Sequence, residues 1–94
     1  MIYCVIVYDV SDNKVRRIVG EMLEGYGVRV NRSVFECSIK NRATLTRLQQ
    51  ALEKEIDPRV DSVRCYELCT KCMTKAWSTS HEADPFEKEA VYFF

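Results

Sequence analysis

The chain reads as an α+β domain on the split βαβ plan: a ferredoxin-like βαββαβ fold with an extra C-terminal strand, paired sheet to sheet with a second copy. Three observations predict this. An unbroken apolar run, Ile2 to Tyr8, opens the chain as a strand. Two stretches with helical spacing of apolar residues follow, one before and one after a region of period-two alternation. A further alternating stretch and an apolar terminus close the order strand, helix, strand, strand, helix, strand, extra strand. At 94 residues the chain has room for one core.

The first strand is rich in β-branched and aromatic residues and does not alternate, which describes a strand covered on both faces. Helices in so small a domain cover one face of a sheet. A second copy is the simplest cover for the other, hence the expected homodimer. Tyr8-Asp9-Val10-Ser11-Asp12 follows the strand, and Ser11 or Asp12 supplies the oxygen that caps a helix. Val15, Ile18, Val19, Met22, Leu23 and Tyr26 form its apolar face, and Gly25 and Gly27 end it. Lys14, Arg16 and Arg17 lie off that face in the first turns, where cations oppose the helix dipole. Either they are a solvated face or an anionic ligand lies nearby.

Val28 to Ile39 is extended, but its alternation slips at Asn31-Arg32-Ser33, which marks a bulge or a tight turn between two strands. Asn41 caps the second helix, Leu45, Leu48, Leu52 and Ile56 face inward, and Pro58 lies beyond its end. Asp61 to Leu68 is the next strand, alternating as Val63, Cys65 and then Tyr66 or Leu68; Thr70 to Trp77 is a helical turn or a loop. Residues 1–76 thus form the domain, and 77–94 a flexible connection leading to a strand over Ala90–Phe94. That strand adds to a sheet edge, of this protomer or of its partner.

Composition excludes several classes of function. Formal net charge is zero, so no global field gathers nucleic acid, although residues 1–47 carry eight Lys/Arg against five Asp/Glu and residues 48–94 six against nine. No apolar run is long enough to span a bilayer, and no secretory leader is visible. Five scattered cysteines suit reduced thiols in a cytoplasmic protein. His81 is the sole histidine, which disfavours histidine general-base chemistry. Three glycines are too few for the Gly-rich ligand loop of a small-molecule regulatory domain.

Chemistry is left to a few constellations. Asp9 and Asp12 are hard oxygen donors of the kind magnesium takes, but one carboxylate makes a poor site. Two Asp9 residues meeting across a dimer axis make a better one. The plain alternative is that Asp9 closes a turn and Asp12 caps the helix. Cys69-x-x-Cys72 has redox or metal spacing, but a structural zinc needs four ligands, so buried or idle thiols are the simpler reading. Arg16, Arg17, Arg29, Arg32 and Arg42 could form a phosphate-binding surface punctuated by Tyr8 and Phe35, unless those aromatics belong to the core.

Three blocks carry a family likeness: Ile2 to Asp12, Tyr26-Gly27-Val28-Arg29-Val30-Asn31-Arg32-Ser33-Val34-Phe35-Glu36-Cys37, and Asp61-Ser62-Val63-Arg64-Cys65-Tyr66. In order and spacing they resemble the Cas2 family of CRISPR-associated proteins, the small dimeric partners of the spacer-acquisition integrase. The likeness covers residues 1–76. It implies a ferredoxin-like homodimer that works with the integrase subunit in CRISPR adaptation and handles DNA or RNA. It also implies a Mg2+-dependent endonuclease activity on RNA or duplex DNA, with Asp9 as metal ligand and catalytic residue. By the same likeness Arg16, Arg29 and Phe35 contact or cleave nucleic acid, and Arg17 adds to the basic cluster. A purely non-catalytic DNA scaffold and a toxin-like ribonuclease are the alternatives on the same fold.

Overall fold

The computed structural model describes residues 1–79, 85 and 86. The strand expected over 90–94, and His81 in the connection before it, lie outside the described residues. The elements run β1 (Ile2–Asp9), α1 (Asn13–Glu24), β2 (Gly27–Asn31), β3 (Val34–Ile39), α2 (Arg42–Glu55), β4 (Ser62–Leu68) and the short α3 (Thr70–Thr74). The antiparallel sheet has the order β2-β3-β1-β4, the ferredoxin-like arrangement expected. Among the described residues no helix is long and apolar enough to cross a membrane.

β1 alternates strictly in space although its sequence does not. Cys4, Ile6 and Tyr8 are buried toward the helices, while Tyr3, Val5 and Val7 are half-buried on the opposite face. The expectation of cover on both faces therefore holds within one chain only at one end. There Met73 of α3 and Phe86 pack against Tyr3, Val5 and Leu68, with the Tyr3 and Phe86 rings edge to face at 6.1 Å. The Phe86 amide donates to Glu36 Oε1 at 2.8 Å and fastens this second cluster to β3.

The main core is the helix-side face of the sheet plus Val19 and Leu23 of α1 and Leu45, Leu48 and Leu52 of α2. Each large apolar side chain fully buried here, such as Phe35, Ile6 or Leu45, contributes about 1.5–3 kcal/mol relative to exposure. Both helices start where a side chain accepts a first-turn amide. Asp12 Oδ1 accepts from Val15 N and Asn41 Oδ1 from Thr44 N, each at 2.9 Å. That resolves the choice of cap in favour of Asp12. α1 stops at Glu24, so Tyr26 lies beyond it and is exposed rather than part of its apolar face.

The slip at residues 31–33 is both things at once. The β2–β3 register shifts between Arg29 and Asn31, and a tight turn at Arg32 and Ser33 joins the strands. In β4 the phase of Val63 and Cys65 continues to Glu67, whereas Leu68 faces the other side with Tyr66 and Arg64. Gly27 opens β2 because nothing larger fits: a Cβ there would stand 2.2 Å from the Glu36 carbonyl oxygen and 2.7 Å from the Cys37 Cα. Since those neighbours are backbone, Gly27→Ala is expected to lower the unfolding free energy by about 1–3 kcal/mol. Asn41→Ala, which removes only a cap, should cost about 1 kcal/mol. Urea denaturation of the two variants checks the order.

Candidate functional site

The carboxyl end of β1 gathers most of the residues marked out by the sequence. Tyr8 and Asp9 are neighbours on a strand, so their side chains leave on opposite faces. Tyr8 is buried toward the helices with its ring stacked on Phe35 at 6.3 Å, and Asp9 is exposed at the rim. The Asp9 carboxylate has no hydrogen bond or ion pair among the described residues. It does not close a turn with its side chain. Asp12, by contrast, is committed to capping α1.

Asp9 borders two recesses. One, of about 740 Å³, lies on the helix side and is lined by Tyr8, Asp9, Ser11, Asn13, Ser33 and the guanidinium-bearing Arg16, Arg17, Arg29 and Arg32. The other, of about 350 Å³, lies on the open face and is lined by Val7, Asp9, Ser62, Arg64 and Tyr66. One carboxylate is thus shared between a cationic recess and the sheet face opposite α1 and α2.

The arginines are held to different degrees. Arg16 donates from Nε to the Val10 carbonyl at 3.1 Å and from Nη2 to the Ser11 carbonyl at 3.2 Å, so it braces the loop after Asp9. Arg17 is exposed and makes only a 3.8 Å pair with Glu21, which leaves its charge available. Arg29 lies over the Phe35 ring at 4.8 Å, donates to the Tyr8 hydroxyl at 3.1 Å and to the Arg32 carbonyl, and stands 3.8 Å from Glu24. Arg42 is elsewhere, paired with Glu67 at 2.7 Å. Phe35 is fully buried, in keeping with the reading that places the aromatics in the core, and its ring presents no exposed face. Its period-two phase with Cys37 and Ile39 turns it to the helices, where it carries Arg29.

Sequence reasoning passed over Asp61. Its Oδ1 accepts from the Ser11 amide at 3.2 Å and the Ser11 hydroxyl at 3.3 Å, and its Oδ2 accepts from the Asp57 amide at 3.0 Å. The Asp57 amide, then Ser11, hold its carboxyl below the ordinary carboxylate value. The loop that follows Asp9 is therefore tied to the loop before β4. An acid directly ahead of a strand was the one available signal.

The cysteines fall into two sets. Cys4 and Cys37 face each other across β1 and β3 and are buried; the hydrogen bond to Cys37 and burial push the Cys4 thiol far up. Burial, with Cys4 nearby, raises Cys65 to about 11. Of the two readings for Cys69 and Cys72, burial is excluded, since both are exposed; Cys69 caps α3, its Sγ accepting from the Cys72 amide at 3.3 Å. Hydrogen bonding from Cys72 lowers the Cys69 thiol. Among the described residues no three His, Cys, Asp or Glu side chains come together as a metal site. Asp9 can therefore offer a cation one carboxylate per chain, which suits magnesium if waters, phosphate oxygens and a second carboxylate complete the shell.

The family model for CRISPR associated protein Cas2 matches residues 1–76. A protein of Synechocystis named CRISPR-associated endoribonuclease Cas2 3 is 39% identical over 75 residues, 80% of each chain. One of Chloroflexus aurantiacus named CRISPR-associated endoribonuclease Cas2 1 is 40% identical over 91 residues, 96% of this chain and 97% of the relative. The crystal structure of Streptococcus pyogenes Cas2 superposes with a TM-score of 0.73 at 30% identity, covering 83% of this chain and 99% of that one. A chain of a partial Cas6-RT-Cas1–Cas2 complex gives 0.70 at 28% identity, covering 90% of each.

Two outcomes follow from the geometry. A carboxyl held below its ordinary value of 3.8 adds stability that is present above that value and is lost as pH falls through the lowered one. Amide-exchange protection of Ser11 and Asp57 should therefore stay level from neutral pH down to the carboxylate range and fall below it. In Asp61→Ala it should be weak throughout. Under native conditions iodoacetamide should modify Cys69 and Cys72 and spare Cys4 and Cys37 until the protein unfolds, as peptide mass mapping will read.

Proposed function

The chain belongs to the Cas2 family of CRISPR-associated proteins, and on that premise we propose that it binds nucleic acid as a homodimer whose two Asp9 carboxylates serve a metal-dependent endonuclease. The observation that carries this reading is the position of Asp9, unpaired among the described residues and shared between the arginine recess and the open sheet face. A second copy laid on that face would cover Val7, Val34 and Tyr66, which the helices leave uncovered. Met73 and Phe86 already occupy the far end of the face, so the free area lies toward Asp9. Two Asp9 residues brought together there supply the paired carboxylates that one chain lacks.

The cationic recess then receives the phosphate backbone. Arg17, exposed and weakly paired, and the remaining donors of Arg29 and Arg32 are the groups that would hold phosphate oxygens, by charge-assisted hydrogen bonds. Arg16 keeps the Val10 and Ser11 carbonyls in place and so holds the loop that leaves Asp9. A magnesium ion, when bound, supplies a polarised phosphoryl oxygen and a water of lowered pKa. The Asp9 carboxylate would hold the ion, since among the described residues no partner engages its oxygens. RNA and duplex DNA share the phosphodiester this site would take.

A scaffold role in spacer acquisition, with an integrase as partner, uses the same surface without the cleavage step. The structural likeness to a chain of a Cas1–Cas2 assembly supports it. The two readings part on Asp9. With purified protein and either RNA or duplex DNA, Asp9→Asn or a chelator should abolish cleavage while binding persists. Cleavage that survives both would remove Asp9 from the chemistry, and a parent protein that binds but never cuts leaves the scaffold reading. Paired Arg17→Glu and Arg32→Glu substitutions should weaken duplex binding at least tenfold and flatten its salt dependence by roughly two phosphate contacts. Sedimentation of the parent under reducing conditions checks the dimer.

A further inference from the structure

Gly20 sits in the middle of α1, where glycine is an unfavourable helix former by about 1 kcal/mol relative to alanine. No turn or left-handed backbone requires it, since no glycine here has positive φ. It is fully enclosed, and what encloses it is the end of the Arg29 side chain. A Cβ at Gly20 would stand 2.5 Å from Arg29 Nη2 and 3.3 Å from the Tyr8 hydroxyl. The guanidinium therefore fills the volume that any other residue at this position would occupy.

We infer that Gly20 is a positioning residue, a seat cut into α1 that lays the Arg29 guanidinium across Phe35 and into the recess beside Asp9. Phe35 supports the flat of the guanidinium at 4.8 Å, the Tyr8 hydroxyl accepts from Nη1 at 3.1 Å, and the Arg32 carbonyl accepts from the same nitrogen. Glu24, one helical turn after Gly20, stands 3.8 Å from Nη2. These partners fix one side of the guanidinium and leave Nε and part of Nη2 for a ligand. Arg29 is a long side chain on an exposed strand, and without the seat it would spread over many rotamers. The seat holds one of them in advance of binding, which reduces the entropy lost when phosphate is engaged.

The inference deepens the proposed nucleic-acid role, and Gly20→Ala tests it because the two contributions have opposite signs. Alanine improves the helix, and the atom it displaces is the far end of a flexible side chain, so the variant should melt at the same temperature as the parent or higher. Binding to a single-stranded RNA or a DNA duplex should nevertheless weaken about tenfold, the scale of one charged hydrogen-bonded contact. Arg29→Ala should weaken binding to a similar extent, and adding Gly20→Ala to it should change nothing further. A second readout needs no nucleic acid: the Arg29 Nε–H resonance, displaced by the Phe35 ring in the parent, should move to the free-arginine position in Gly20→Ala.

Parent-like binding with an unmoved Arg29 resonance in Gly20→Ala overturns the seat. So does a loss of binding that is repeated in full on the Arg29→Ala background. A parent protein with no affinity for either nucleic acid would sink the proposed function alone, and the arginine resonance would still decide the seat.

Discussion

β1 is hydrogen-bonded along both edges, to β3 from Ile2 through Val7 and to β4 from Tyr3 through Asp9. A strand held this way cannot slip by one residue without exchanging its two faces. Tyr8 is consequently fixed toward the helices and Asp9 away from them. The site straddles the sheet for that reason. Its cationic half hangs from Tyr8, Phe35 and α1 on one side, and its carboxylate looks to the other. The loop after Asp9 has no strand to hold it, and the Asp61 carboxylate and the Arg16 guanidinium take over that task from opposite ends.

Much of the fold was legible because local signals were strong and agreed with one another. Asp12 and Asn41 announced their helices, the apolar spacing of Leu45, Leu48 and Leu52 survived intact, and the order of elements left few topologies to consider. What escaped was face assignment where both faces are apolar. In β1 the apolar run hides an alternation that only the helices above it reveal. In β3 the phase of Phe35 with Cys37 and Ile39 was readable beyond the slip at residues 31–33 and put its ring in the core, while the family likeness alone drew it toward nucleic acid. Asp61 and Phe86 act through Ser11 and Glu36, each 50 places away in the chain, and Gly20 through Arg29 on the next strand; beyond the acid placed directly ahead of β4, their own neighbourhoods give little sign of it.

The electrostatics show why zero net charge says little about this protein. Arg16, Arg17, Arg29 and Arg32 line one recess, so their positive charges add locally. Two of them pair with acids, Arg17 with Glu21 and Arg29 with Glu24, each at 3.8 Å and largely in water, where such pairs contribute little and hold the cations loosely. Compensating acids lie in the second half of the sequence, several of them engaged with other partners, as Glu67 is with Arg42. Local field and global charge are separate properties of the molecule.

Cys69 and Cys72 stand in solvent on α3, at the opposite end of the sheet from Asp9, and no disulfide joins them. Two thiols on an open surface are handles for air oxidation between molecules. In a preparation without reductant, chains can link through sulfur into covalent pairs and longer ladders, and such species would mimic a native assembly on a sizing column. A stoichiometry measured for this protein has meaning only with its sulfur chemistry held in the reduced state.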